Sequence, residues 1–534
     1  MIPIDPQNET AYSFVVFGAS GRLSKRKIFP ALWALYRDNR LPQGTKIFTF
    51  SRTKLHTSKY RLQCVPYMGL DKERDQKKYN SFWTNVHCVQ GEYDNAADYA
   101  MLGEAMAMQE TKHKMIYANR IFYLAIPPII FDNITLNLVR KCKSEKGWNR
   151  IVIEKPFGRN DLTYRPYQLN LCQSFNESQI YMIDHYLSRR VMQNLFALRF
   201  ANRIWSDSFN NNQIAAVMIT VKNEKHVSGD YFNIYGIIRD MMTNHMMQLL
   251  TMVAMDQPFD NDVEDMRNER YRVLKDIPTV DMTDVVLGQY RNNFMESDPE
   301  KVGYTEHSYI PMDSLTPTYA MVVLKIKNKR WSDVPFILRA GKAMNETKTE
   351  VRIQYKSVES DLYHPSELDI RNELVLRLAP YEEIFMRVQL KKPGEELCLQ
   401  DTEINMSVNE KSLKLPSNYA SLLLDIFNGN QTFFMRTDEQ CEIWRIFSGV
   451  LNAIDVERPK PFLYDYGSRG PIPAYRKAER SGFVFFAPDN WHESKDTLAF
   501  TVKSSRQPTT NNSRFVSARP SRMQTPKEST LKFA

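Results

Sequence analysis

The chain has 534 residues, 43% of them hydrophobic and 25% charged, with a net charge of +9. That length exceeds what one hydrophobic core fills, so two domains and a tail are expected. The longest apolar runs, 246–255 and 121–131, break well short of the roughly 20 residues a membrane span needs, and residues 501–534 hold seven Lys or Arg against Glu528, six of the nine net charges, so neither a membrane protein nor a nucleic-acid binder is expected.

In chain order, the apolar run 13–17 ends in Gly18-Ala19-Ser20-Gly21, after which Ile28, Leu32, Leu35 and Tyr36 recur at helical spacing. Apolar runs follow at 46–50, 121–126 and 150–153, with helix-like stretches between some of them. Strands alternating with helices predict an α/β Rossmann-type dinucleotide-binding domain over residues 1–183. Past residue 184 the rhythm changes. Helical stretches at 190–200, 235–255, 419–427 and 441–454 accompany strand-like runs at 215–222, 319–327, 350–355, 373–378 and 384–390. This grouping predicts an α+β domain with a large, mainly antiparallel sheet over 184–503. From 504 to 534, Ser, Thr, Asn, Pro and Arg replace large apolar residues, the composition of a disordered basic tail.

The opening Met1-Ile2-Pro3-Ile4-Asp5 lacks the basic-then-apolar pattern of a secretory leader, which points to a cytoplasmic protein. Cys64, Cys88, Cys142, Cys172, Cys398 and Cys441 are scattered, with no pair at zinc-site or redox spacing; they are expected to be thiols, and no metal is expected.

A Gly-rich turn between strand and helix lets a pyrophosphate approach backbone N–H groups at the positive end of a helix dipole. Gly18-x-x-Gly21 is not the full three-glycine fingerprint, and alone it fits an ordinary turn as well. The second strand ends in Ser51-Arg52-Thr53. An acid at that tip binds free ribose hydroxyls, whereas an Arg meets a 2′-phosphate, so Arg52 favours NADP over NAD.

Taken together, several segments resemble the glucose-6-phosphate dehydrogenase family. They are Gly18-Ala19-Ser20-Gly21-Arg22-Leu23-Ser24-Lys25, Glu154-Lys155-Pro156-Phe157-Gly158 and Ile183-Asp184-His185-Tyr186-Leu187, followed by Arg239-Asp240-Met241-Met242-Thr243-Asn244-His245, Pro335 to Lys342, and Tyr466-Gly467-Ser468-Arg469-Gly470-Pro471. The matches run in order from residue 13 to about 491.

The resemblance implies oxidation of glucose 6-phosphate to the 6-phospho-lactone with NADP, the first step of the pentose phosphate pathway, in a homodimer or tetramer. Such chemistry needs a base for the C1 hydroxyl proton, and a neutral imidazole suits it because its pKa lies near working pH. The resemblance gives His245 that part, with Asp184 fixing its tautomer and Lys155 placing positive charge beside the reacting oxygen. His185, Tyr186, Arg189 and Lys342 would take the substrate phosphate, and Asp240 the sugar hydroxyls. Gly18, Ala19, Ser20, Gly21, Arg22, Leu23 and Arg52, with Lys155, would hold the coenzyme, its loop shaped by Pro156.

Some members of the family carry a second, structural NADP. Arg339, Lys348, Arg352, Arg377, Arg387, Arg469 and Trp491 resemble that site, with Phe385 and Phe485 standing where tyrosines are usual. Other departures are Arg22 for an Asp, Arg189 for a Lys, Asn223 for a sugar-binding Glu with Glu224 beside it, Ala379 for a Gln and Thr347 for an Arg. They predict weaker sugar-phosphate binding. They also leave two alternatives open: a non-catalytic NADP-binding paralogue, and an oxidoreductase for a different sugar phosphate.

Overall fold

The computed structural model describes residues 10–112, 116–127, 130–227, 229, 231–260, 262–293, 298, 301–358, 371–394, 399–406 and 417–485. The 504–534 tail and Trp491 lie outside them. Chain contacts define one unit over Met1–Val484 and another over Phe485–Ala534.

Six strands form the parallel part of the first sheet: β1 (Thr10–Phe17), β2 (Lys46–Ser51), β3 (Val86–Gln90), β4 (Tyr117–Leu124), β5 (Asn149–Ile153) and β6 (Ile180–Ile183). Their order is β6-β5-β4-β1-β2-β3, the doubly wound arrangement in which direction reverses between β1 and β4. A parallel strand must bury both faces, and β1 does: every residue from Phe14 to Phe17 is fully buried.

Among the described residues, the second sheet has nine strands. In chain order these are β7 (Ile214–Lys222), β8 (Val285–Arg291), β9 (Tyr319–Lys325), β10 (Pro335–Gly341), β11 (Lys348–Tyr355), β12 (Glu373–Ala379), β13 (Glu383–Lys391) and β14 (Leu399–Asn405), with β16 (Phe462–Asp465) last. The order is β14-β13-β12-β11-β7-β10-β9-β8-β16. Among the described residues, only the β10–β7 and β16–β8 pairs of this sheet are parallel, in line with the expected mainly antiparallel sheet.

Between β14 and β16 in sequence, β15 (Phe434–Met435) returns to the first sheet and pairs antiparallel with β6. The preceding helix, Asn418–Asn428, packs Ala420, Leu423, Ile426 and Phe427 into the same core as Phe14, Leu32 and Tyr123 of the first sheet layer. Residues far beyond 184 therefore complete the core around the first sheet.

Among the described residues, two helical segments are wound with i→i+5 hydrogen bonds. One, Ser24–Ile28, follows the Gly turn and continues as the helix Phe29–Arg37; the other, Ile238–Met246, continues as Met247–Ala254. The stretch expected as one helix over 235–255 is broken at Gly236, whose φ of 68° and ψ of 173° lie outside the helical region. The helix from 247 to 254 is buried on every side, its two polar residues Gln248 and Thr251 hydrogen-bonded within the core, which anchors the wound segment before it. The described cysteines, Cys64, Cys88, Cys142, Cys172 and Cys441, are all thiols. No helix among the described residues is long and apolar enough to cross a membrane.

Candidate active site

Gly18 follows β1 at the point where strand order reverses. Its φ is +76°, and a Cβ there would stand 2.2 Å from the carbonyl oxygen of Ala125, which follows β4. Only glycine fits. The turn closes with Gly21 N–H donating to Gly18 O at 2.9 Å. Ala19 is buried beneath it, Ser20, Gly21 and Arg22 are exposed, and Leu23 is half-buried. Exposed backbone thus lies at the start of a helix, as a dinucleotide phosphate requires. Ser24 anchors that start, its hydroxyl 2.6 Å from Tyr60 Oη in the core. Arg52 is exposed just past the end of β2, with its guanidinium 5.8 Å from the Tyr93 ring centroid. Phe17 and Phe50 are register partners in β1 and β2, so the Gly turn and Arg52 leave adjacent strand ends.

A second group converges from three parts of the chain. Asp184 follows β6, Lys155 follows β5, and Asp240 and His245 lie on the segment Ile238–Met246. The i→i+5 winding brings side chains five positions apart onto one face, so Asp240 and His245 point the same way. His245 Nδ1 lies 2.6 Å from Asp184 Oδ2. The other carboxylate oxygen, Oδ1, accepts from the backbone N–H of Tyr186 at 2.8 Å and of Leu187 at 3.1 Å. Asp184 is 1% exposed and His245 5%.

Burial holds the imidazole below the usual histidine range; the Asp184 carboxylate opposes this, and the Lys155 charge adds to it. Burial alone would raise the Asp184 carboxyl, but His245 and the two N–H donors outweigh it and bring it to about 2. A neutral ring donating Nδ1–H to a carboxylate leaves Nε2 as its proton acceptor. The Tyr186 ring lies 4.5 Å from the His245 ring, tilted by 31°.

Asp240 joins two cations. Lys155 Nζ donates to Asp240 Oδ1 at 3.2 Å and to its backbone carbonyl at 2.8 Å, while Lys342 Nζ is 3.2 Å from Oδ2. Burial raises the Asp240 carboxyl, and the two lysines more than offset that, to about 2. The Lys155–Pro156 peptide is cis.

His185 sits in a network that sequence reasoning did not identify. Its Nε2 is 3.1 Å from Glu154 Oε2 and 3.1 Å from Tyr419 Oη. Glu154 Oε1 accepts from Tyr419 at 2.9 Å and from Tyr123 at 2.5 Å. Glu154 belongs to the same short segment as Lys155, but Tyr419 is 234 positions from His185, and no sequence spacing announces it. Arg189 Nη1 donates to Glu382 Oε1 at 3.2 Å, another partner without a sequence signal. Glu224, beside the departure at Asn223, accepts from the backbone N–H of Thr347 at 3.2 Å.

The cations expected around a second dinucleotide form a stripe across adjoining strands: Arg387 on β13, Arg377 on β12, Lys348 and Arg352 on β11, and Arg339 on β10. Lys222 on β7 fills the gap in that stripe, a residue sequence reasoning missed. It pairs with Glu346 at 3.0 Å, and burial with the nearby Arg339 charge brings its ammonium down to about 7. Glu350 lies among Arg352 at 2.8 Å, Lys348 at 3.4 Å and Arg377 at 3.7 Å. Arg352, Arg377 and Arg387 also pair with Glu373, Glu383 and Glu403. Arg339 lies 5.5 Å from the Tyr475 ring centroid, and the Tyr475 hydroxyl donates to the Arg469 carbonyl.

With that geometry in hand, comparison with known proteins is specific. Residues 15–194 match the model of the glucose-6-phosphate dehydrogenase NAD binding domain, and residues 196–492 that of the glucose-6-phosphate dehydrogenase C-terminal domain. The glucose-6-phosphate 1-dehydrogenase of Drosophila melanogaster is 44% identical over 489 residues, 91% of this chain and 92% of that protein. Glucose-6-phosphate 1-dehydrogenase 2 of Mus musculus is 41% identical, with coverage of 88% and 92%. A solved glucose-6-phosphate dehydrogenase in complex with its substrate glucose-6-phosphate superposes with a TM-score of 0.83 at 35% identity, covering 89% of this chain and 98% of that one. The order of the two domains, the paired strand ends at the Gly turn and the buried Asp184–His245 pair have one common reading: this chain belongs to the glucose-6-phosphate dehydrogenase family.

Proposed function

We propose that the chain oxidises D-glucose 6-phosphate at C1 to 6-phospho-D-glucono-1,5-lactone with NADP, producing NADPH. The observation that carries this is the 2.6 Å His245–Asp184 contact on the face shared with Asp240. NADP, when bound, supplies the nicotinamide that takes the C1 hydride. The chain supplies the rest.

His245 Nε2 accepts the C1 hydroxyl proton. Asp184 keeps the ring in the tautomer that leaves Nε2 unprotonated and stabilises the imidazolium once the proton arrives. Lys155 sets a positive charge at the edge of the same site, favouring the developing negative oxygen and disfavouring premature protonation of His245. Asp240, already held by two lysines, accepts sugar hydroxyls from a fixed position. His185, Tyr186, Arg189 and Lys342 take the phosphate.

For the coenzyme, the glycine-only turn at Gly18, the exposed backbone from Ser20 to Arg22, Ala19 and Leu23 cradle the pyrophosphate. Arg52 meets the 2′-phosphate that distinguishes NADP from NAD. The stripe from Arg387 to Arg339, with Lys222 and Arg469, suits a second dinucleotide with a structural role, since so many adjoining cations favour a polyanion.

Absorbance at the reduced-nicotinamide band, recorded with glucose 6-phosphate, unphosphorylated glucose and other sugar phosphates against NADP and NAD, tests the whole reading. Rapid reduction of NADP with glucose 6-phosphate supports it. Coenzyme binding without turnover on any sugar would replace it by the non-catalytic reading.

A further inference from the structure

Arg189 is gripped by one edge of its guanidinium. Nη1 donates to Glu382 Oε1, while the buried Nε of the same side chain has no hydrogen-bond partner among the described residues. Glu382 is itself pinned. Its Oε1 also accepts from Asn418 Nδ2 at 3.3 Å, and its Oε2 accepts from the Val191 backbone N–H at 3.1 Å. Those two anchors stand on the first turns of the helices Arg190–Ala201 and Asn418–Asn428.

A guanidinium presents its donors as a rigid planar fork, and two parallel N–H bonds from Nε and Nη2 match two oxygens of a phosphate. With Nη1 held by Glu382, the edge that carries the unpartnered Nε is the one available to a ligand. The partner also carries a cost, because its negative charge repels a phosphate. A phosphate on the opposite edge would have the guanidinium between itself and Glu382, which is partly exposed and therefore screened, so the gain from fixing the fork dominates.

We propose that Glu382 is a positioning residue that turns Arg189 into a two-pronged clamp for the substrate phosphate and thereby sets the preference for a phosphorylated over an unphosphorylated sugar. This rests on the proposed function. It also explains how Arg serves where relatives are expected to carry Lys: a compact ammonium needs no orientation, and a planar fork does.

The test compares the full-length protein with Glu382→Gln, Glu382→Asp, Arg189→Ala and the Glu382→Gln/Arg189→Ala double variant. Glucose 6-phosphate and glucose serve as substrates, and inorganic phosphate is titrated by calorimetry. Glu382→Gln is expected to raise KM for glucose 6-phosphate about tenfold with kcat little changed, to leave kcat/KM for glucose unaltered and to weaken phosphate binding about tenfold. Glu382→Asp, which keeps the charge and withdraws the oxygen, should do the same. In the Arg189→Ala background the Gln substitution should add less than about twofold.

The proposal is overturned by an unchanged or lowered KM in Glu382→Gln, by an equal loss with glucose, or by wild-type behaviour of Glu382→Asp. Absence of glucose 6-phosphate turnover in the wild type, together with weakened phosphate binding in Glu382→Gln, would sink the proposed reaction and leave the clamp standing.

Discussion

His245 and Asp184, 61 positions apart in sequence, meet at 2.6 Å with both groups almost wholly buried, and the Lys155 charge acts on the same imidazole. Replacing His245 by Asn removes the base and should lower kcat by about 10²–10⁴-fold, with coenzyme affinity nearly intact. Activity requires the neutral ring, so kcat/KM should rise with pH and level off above a pKa lying below the ordinary histidine value. Asp184 is the group that raises that pKa. In Asp184→Asn the rising limb should therefore move to lower pH while kcat falls, and pH profiles of kcat/KM for the variant and wild type check both changes.

Lys155 acts in the opposite direction on the same ring, since its charge disfavours the imidazolium. Lys155→Met should move the rising limb to higher pH and lower kcat by about tenfold or more, through loss of positive charge beside the reacting oxygen. It also leaves Asp240 with Lys342 alone. Opposite shifts in Asp184→Asn and Lys155→Met would tie both residues to one titrating group; a common shift would contradict that.

Gly18→Ala places a methyl group 2.2 Å from Ala125 O on a backbone at φ +76°. Neither the rigid β4 end nor the turn can yield cheaply, so the variant should lose about 1–3 kcal/mol of stability and most of its coenzyme affinity. Thermal melts with and without NADP separate the two losses: the variant should melt earlier and gain little from the coenzyme.

Much of this site was legible because short segments bring their chemistry with them. Gly18 to Gly21, Lys155, Asp184 and the Asp240-to-His245 spacing each lie in a run of residues that reads as a unit, and the apolar runs behind them located most of the buried strands to within a few residues. What the sequence concealed depends on contacts between distant segments. Glu382 under Arg189, Tyr419 under His185 and Lys222 within the cation stripe are polar residues whose partners lie far along the chain or across a sheet. Strand β14 was hidden for another reason: it is an edge strand with mostly exposed polar side chains, so no alternation of apolar residues marks it. The break at Gly236 carries no sequence signal because the residues after it continue a helical pattern.

Arg52 offers a test of coenzyme choice. Its guanidinium stands in solvent beside the Tyr93 ring, off the end of β2. Arg52→Ala should raise KM for NADP by about 10–100-fold, the worth of one charged hydrogen bond, and leave KM for NAD within about twofold. Parallel kinetics with both coenzymes decide it. An equal loss with both would make Arg52 a structural residue.

Glu350 links the cation stripe to stability. It is 2% exposed, with Arg352, Lys348 and Arg377 around it. Burial raises its carboxyl, yet these cations prevail and bring it to about 2. Its stabilising contribution is thus fully present above the ordinary glutamate pKa and disappears as pH falls towards 2. Glu350→Gln leaves the cations with one carboxylate fewer, although Arg352, Arg377 and Lys348 keep Glu373, Glu383 and Glu346, and should lower stability at neutral pH, with the deficit against wild type shrinking on acidification. If the stripe holds a second dinucleotide, its phosphates would restore the missing negative charge, so NADP should raise the Tm of Glu350→Gln by more than it raises that of the wild type. Arg22, Arg52 and the Gly turn are untouched by this substitution, which separates the effect from binding at the first site. Equal shifts in Tm would leave the stripe as a structural ion-pair network and remove the case for a second coenzyme.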